Sequence, residues 1–90
     1  MNVFALPHAL KHGLSESDVA YAWKSPIRCR QRAGKDEPPR WIAIGLLPDG
    51  RLAELVAIQT IEGDWYVYHA MTPPTKKFLK ELEINDGRKR

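Results

Sequence analysis

At Pro26 the hydrophobic pattern of this chain changes period, and that change limits what the chain can fold into. Before it, apolar residues recur every three or four positions; after it, extended stretches with strand-type patterning are separated by turn chemistry. Residues 27–32, Ile-Arg-Cys-Arg-Gln-Arg, alternate so that Arg28, Arg30 and Arg32 share one face and Ile27 and Cys29 the other. Ala33 to Pro39 is polar and proline-containing and reads as a loop. Residues 40–47, Arg-Trp-Ile-Ala-Ile-Gly-Leu-Leu, are apolar on both parities, as expected of a central strand covered on both faces. Pro48-Asp49-Gly50 presets one corner and accepts positive φ at the next, predicting a hairpin into residues 52–60. A second turn at Glu62-Gly63-Asp64 leads to residues 65–71, Trp-Tyr-Val-Tyr-His-Ala-Met, of types that suit a pleated surface.

Helices flank this region in the sequence-based expectation. Leu6, Ala9, Leu10 and Gly13 have helical spacing, with Pro7 suited to a first turn and Gly13 to a C-terminal cap. Ser15 and Asp18 have capping-box spacing, with Leu14 and Val19 as the matching staple, so a second helix should start at Ser15 and stop before Pro26. Thr72 is the expected cap of a last helix, whose apolar face is Phe78, Leu79 and Leu82. The prediction is an α+β fold: two N-terminal helices, a four-stranded antiparallel β-meander and a C-terminal helix, with the helices on one sheet face. A single domain over residues 1–84 and a flexible basic tail over 85–90 complete it.

Charge is unevenly spread. Residues 24–40 hold six Lys or Arg against two acids, and residues 74–90 six against three, while residues 41–73 hold one against four. Two basic blocks around an acidic middle favour a polyanionic partner. No apolar run approaches the roughly 18 residues of a membrane span, and the N-terminus lacks the layout of a secretory signal. The expected location is the cytoplasm. Cys29, the single cysteine, can make no internal disulfide and reads as a half-buried strand residue.

Order and spacing carry a further signal. Lys11-His12-Gly13-Leu14-Ser15, then Arg40-Trp41-Ile42-Ala43-Ile44-Gly45, then Asp49-Gly50-Arg51 before an apolar strand resemble the BrnT family of type II toxins, from about His8 to Leu82. The resemblance implies a RelE-like fold and a ribonuclease that suppresses translation. It also implies two partners, RNA (ribosome-associated mRNA included) and a cognate antitoxin protein. Where the family tends to carry Ser-Ala-Arg at the end of the last strand, this chain has His69-Ala70-Met71, replacing an arginine and adding an imidazole.

RNA cleavage requires a deprotonated 2′-OH, a stabilised phosphorane and a protonated 5′ oxygen. Arg28, Arg30 and Arg32 are the candidates for charge stabilisation, since alternate strand residues stand roughly 6.6 Å apart and guanidiniums bind phosphate bidentately. The bland alternative is an edge strand protected by charge. His69 is the candidate acid or base, grouped by parity with Trp65, Val67 and Met71, with a half-buried structural histidine as its alternative. Arg40 and Arg51 flank the next strand and extend the basic patch. Tyr66 and Tyr68, on the opposite parity, are candidates for stacking on bases, with Lys76, Lys77 and Lys80 as further phosphate contacts. Glu54 is the one acid able to share a sheet face with these groups. His12 reads as structural at a helix end, and His8 precedes it at i, i+4 spacing without a third metal ligand. No cofactor fingerprint or zinc cluster is present, so the expected chemistry is cofactor-free and metal-independent. The leading reading is a toxin-like endoribonuclease. Its alternatives are a non-catalytic nucleic-acid-binding domain of the same fold and a domain that binds an acidic protein.

Overall fold

The computed structural model describes residues 2–83. Five strands form one mixed sheet: β1 (Val3–Ala5), β2 (Pro26–Gln31), β3 (Arg40–Leu46), β4 (Leu52–Gln59) and β5 (Trp65–Met71), in the order β1-β5-β4-β3-β2. Only two α-helices accompany them, α1 (Glu16–Trp23) and α2 (Lys76–Glu81), so the described chain is mostly β. The predicted four-stranded antiparallel meander with two N-terminal helices is therefore corrected at its N-terminal end. The tail expected over 85–90 lies outside the described residues.

Two differences account for the correction. Residues Pro7–Leu10 make a 3-10 turn, not the first α-helix. Between Pro7 and Gly13, whose φ is +91°, there is too little chain to offset the cost of nucleating an α-helix. Instead the Leu6 N–H donates to the Val67 carbonyl at 2.9 Å, continuing the pairing of β1 with β5. β1 itself lies parallel to β5, with Phe4 opposite Tyr66. A three-residue strand has no readable period, and a parallel partner more than sixty residues away leaves no local turn signal.

The helices lie on opposite faces of the sheet, not on one. α1 is set by the expected capping box: the Ser15 hydroxyl accepts from the Asp18 N–H at 3.1 Å, and the Asp18 carboxylate accepts from the Ser15 N–H at 3.4 Å. Val19, Ala22 and Trp23 bury against Ala43, Leu55, Ala57 and Val67. This helix sits so close to β3 that a Cβ built at Gly45 would lie 2.1 Å from the Ala22 carbonyl oxygen. On the other face Phe78 and Leu82 pack on Ile42, Ile44 and Val56. α2 is capped by Thr75, whose hydroxyl accepts from the Phe78 N–H at 3.2 Å, and not by Thr72. The Thr72 hydroxyl instead donates to the Leu52 carbonyl oxygen, tying the end of β5 to β4.

A bulge in β5 sets the geometry of the site. Opposite β4 the register runs Val56 to His69 and then Ala57 to Val67, leaving Tyr68 as an extra residue. Alternation breaks there: Val67 and Ala70 face α1, while Tyr68 and His69 both face α2. His69 is thus separated from Trp65 and Val67, with which simple parity had grouped it. Among the described residues no helix is long and apolar enough to cross a membrane.

Candidate active site

Glu54 is the buried charged residue of the described core, 3% exposed, with apolar neighbours on both sides along β4. A carboxylate there is tolerable only if its oxygens are saturated with donors. They are. Oε2 lies 2.7 Å from His69 Nε2, and Oε1 accepts from the Thr75 N–H at 2.7 Å and from the Thr75 hydroxyl at 2.9 Å. One carboxylate thus holds the imidazole and the cap of α2 together. In the neutral imidazole this arrangement keeps the proton on Nε2 and the lone pair on Nδ1.

His69 stands at the wall of a cavity of about 340 Å³, with Glu54 and Thr75 behind it. Phe78 stacks against the imidazole at 5.9 Å between ring centroids. His12 meets His69 edge-on at 6.2 Å, and His8 lines the same cavity. Both come from the segment that passes the edge of β5 where pairing with β1 has ended. Arg32, Arg40 and Lys77, with Tyr68 and the aliphatic Val56, complete the lining. Arg40 lies over the Tyr68 ring at 5.3 Å and donates to its hydroxyl at 3.0 Å. Imidazoles beside a buried carboxylate, ringed by cations, can move protons on a bound anion.

Arg28 and Arg30 of β2 and Arg32 just beyond it do share one face: Arg28 and Arg30 are opposite Ile44 and Ile42, which face α2, and the Arg32 N–H continues the pairing by donating to the Arg40 carbonyl at 2.7 Å. Their contacts differ from a free phosphate-binding row. Arg28 donates to the Leu82 carbonyl at 3.2 Å, Arg30 lies 3.7 Å from the Glu83 carboxylate, and Arg32 forms a two-bond fork with Glu81 at 2.8 and 3.1 Å. The row fastens the C-terminal end of α2 to the sheet. Arg32 alone of the three reaches the cavity, passing over the Phe78 ring at 5.5 Å. Its hydrogen bonds to Glu81 hold the Glu81 carboxyl below its ordinary range and the guanidinium above its own.

The other expected contacts divide. Tyr68, Arg40 and Lys77 come to the cavity, and Lys77 also lines an adjoining groove of about 480 Å³ with Arg32, Lys80 and Glu81. Arg51 is bound to Asp49 in its own turn at 2.7 Å, and neither it nor Lys76 lines the cavity. Tyr66 stacks on Phe4 at 5.0 Å. Cys29, expected half-buried, is exposed on edge strand β2, since α1 does not reach across that strand. Among the described residues no group of three or more His, Cys, Asp or Glu is placed to hold a metal ion.

Sequence reasoning missed Thr75, read His12 as structural and weighed His8 only as a metal ligand without a third partner. For Thr75 a signal existed, since Thr75 precedes Phe78 at cap-to-N3 spacing. For the histidines none did: their approach to His69 depends on the unforeseen β1 and 3-10 turn. No family model, curated protein or solved structure matches this chain.

Proposed function

We propose that this protein is a metal-independent endoribonuclease acting on mRNA, the toxin component of a type II toxin-antitoxin pair that works in the cytoplasm. The observation that carries the reading is His69 held at 2.7 Å by the buried Glu54 carboxylate, at the wall of a cavity that Arg32, Arg40 and Lys77 make cationic. The resemblance to BrnT toxins in residue order supports the biological role, and the basic blocks support a polyanionic substrate.

The chemistry follows from proton inventory. His69 Nδ1 takes the proton of a ribose 2′-OH while Nε2 keeps its own, donated to the Glu54 carboxylate, which stabilises the imidazolium that forms. The 2′ oxygen attacks phosphorus, the charge gathering on the phosphorane is met by Arg40 and Lys77, and the P–O5′ bond breaks. His8, in the same cavity, is the group assigned to protonate the departing 5′ oxygen. The products are a 2′,3′-cyclic phosphate and a 5′-hydroxyl end; the proton gained by His69 equals the one given up by His8, and exchange with solvent returns both imidazoles to their starting states.

The test is cleavage of messenger RNA by the purified protein in the presence of a chelator, with the ends of the fragments mapped. Cyclic phosphate ends, and a loss of rate of about 10²- to 10⁴-fold on His69→Ala, are expected. Equal activity of the variant, or intact RNA with the wild type, would overturn the proposal. A second reading, a domain that binds nucleic acid or an antitoxin without cutting, draws on the Arg32–Glu81 fork, which commits one cavity cation to a partner within the chain. It predicts salt-sensitive RNA binding with no product.

A further inference from the structure

α2 spans six residues and therefore covers only about 9 Å of the sheet face it packs on. Register places the next row of side chains on that face in one line: Phe4 of β1, Tyr66 of β5, Ile58 of β4 and Arg40 of β3. None of the four belongs to either buried core, and Phe4 is 42% exposed. The Phe4 and Tyr66 rings are stacked, with planes 29° apart, and strand pairing holds both in place. At the other end Arg40 joins the row to the cavity through Tyr68, and both of these residues line it.

We infer that this strip is a stacking platform for one or two unpaired nucleobases of an RNA strand whose backbone crosses the cavity. The inference rests on the reading of the cavity as a phosphodiester site. The stacked Phe4–Tyr66 pair, with Phe4 exposed, offers aromatic surface on which the π-face of any base can pack, which suits a substrate held without strict sequence preference. Arg40, at the junction, lines the cavity and shares its charge with the exposed Asp36 carboxylate 3.6 Å away, so cationic and aromatic surface adjoin as phosphate and base do along a nucleotide. Size selects this occupant over a protein: four side chains fall far short of the roughly 800 Å² per partner that a stable protein interface buries. Bases in a duplex have no free face, so the platform selects single strands.

The experiment uses the His69→Ala protein, which leaves the strip unaltered and prevents cleavage during binding. An oligouridylate and an abasic ribose-phosphate oligomer of equal length are compared by fluorescence anisotropy. The base-containing strand is expected to bind tighter by on the order of tenfold. Phe4→Leu or Tyr66→Leu, which keep apolar volume, should erase most of that preference while leaving abasic binding unchanged, and this unchanged affinity shows that the fold and its charge persist. No preference for the base-containing strand, a preference that survives both substitutions, equal binding of duplex RNA, or equal displacement of the RNA by poly-glutamate would each overturn the platform; the last outcome would make the surface a site for an acidic protein. A wild type that cuts RNA without a base preference removes the platform alone. One that shows the preference and never cuts removes the nuclease reading and leaves the platform standing.

Discussion

Replacing Glu54 by glutamine separates the two tasks of that side chain. The amide has the same shape, so its oxygen can still accept from the Thr75 N–H and hydroxyl, now 2.7 and 2.9 Å from Oε1. Bonds to a charged acceptor are worth about 1.5–3 kcal/mol and to a neutral one about 0.5–1.5, so each weakens by roughly 1 kcal/mol. Against that, a neutral amide avoids the desolvation of a buried carboxylate, which costs several kcal/mol before compensation. The two effects oppose, and the net change in unfolding free energy should stay within about 2 kcal/mol. On the His69 side the change is qualitative. An amide N–H now faces Nε2, so Nε2 must accept and the imidazole proton moves to Nδ1, leaving no lone pair for the 2′-OH. Cleavage should fall by about 10²- to 10⁴-fold, far more than stability does. Glu54→Ala should differ, costing about 3–5 kcal/mol, because it strips the acceptor from buried donors. Urea unfolding and a cleavage time course on the same preparations measure both quantities. A folded Glu54→Gln protein that cuts RNA within about threefold of the wild-type rate would refute the assignment of His69 as the base.

Two further outcomes follow from the packing. Gly45→Ala should cost about 1–3 kcal/mol, at the upper end because the methyl group meets the Ala22 backbone and not a movable side chain; the melting temperature should drop by roughly 10–20 °C, and an unchanged melting curve would mean that α1 does not sit on β3 at this distance. For Glu81 the folded-state value is depressed below its ordinary 4.5, chiefly by the hydrogen bonds from Arg32. Its contribution is therefore present above that pH and is lost as acid protonates it through the lower folded value. Wild type should exceed Glu81→Gln in urea stability at pH 7, and the gap should begin to narrow as pH falls below about 4.5; a gap that does not change with pH would count against the fork.

The parts of this molecule that could be read from sequence are those whose cause is local. The Ser15–Asp18 box, the Pro48-Asp49-Gly50 turn and the alternation that lines up Arg28, Arg30 and Arg32 each act within a few residues, so composition and spacing reveal them. β1 and the second face of the sheet could not be read that way. Whether Val3–Ala5 pairs, and with what, depends on the far end of the chain, and α2 goes to the opposite face because Ile42, Ile44 and Val56 offer it an apolar surface that α1 cannot also cover. That surface was visible as apolar residues on both parities of residues 40–47, yet the pattern requires only two covers and does not say which helix supplies which.

The candidate site was illegible for a sharper reason. Parity assigns His69 to one face, and a single extra residue, Tyr68, reverses the assignment for everything after it. Without the bulge His69 would point toward α1, and Glu54 would be a buried charge lacking its imidazole. The same bulge coincides with the point where β1 stops pairing, at Ala5 opposite Val67, so the edge of β5 that it leaves open is the edge over which His8 and His12 arrive. A deviation of one residue in one strand thus turns His69 into a cavity that six separate stretches of chain line. Sequence periodicity averages over such deviations, which is why the acidic partner was visible as Glu54 and its pairing with His69 was not.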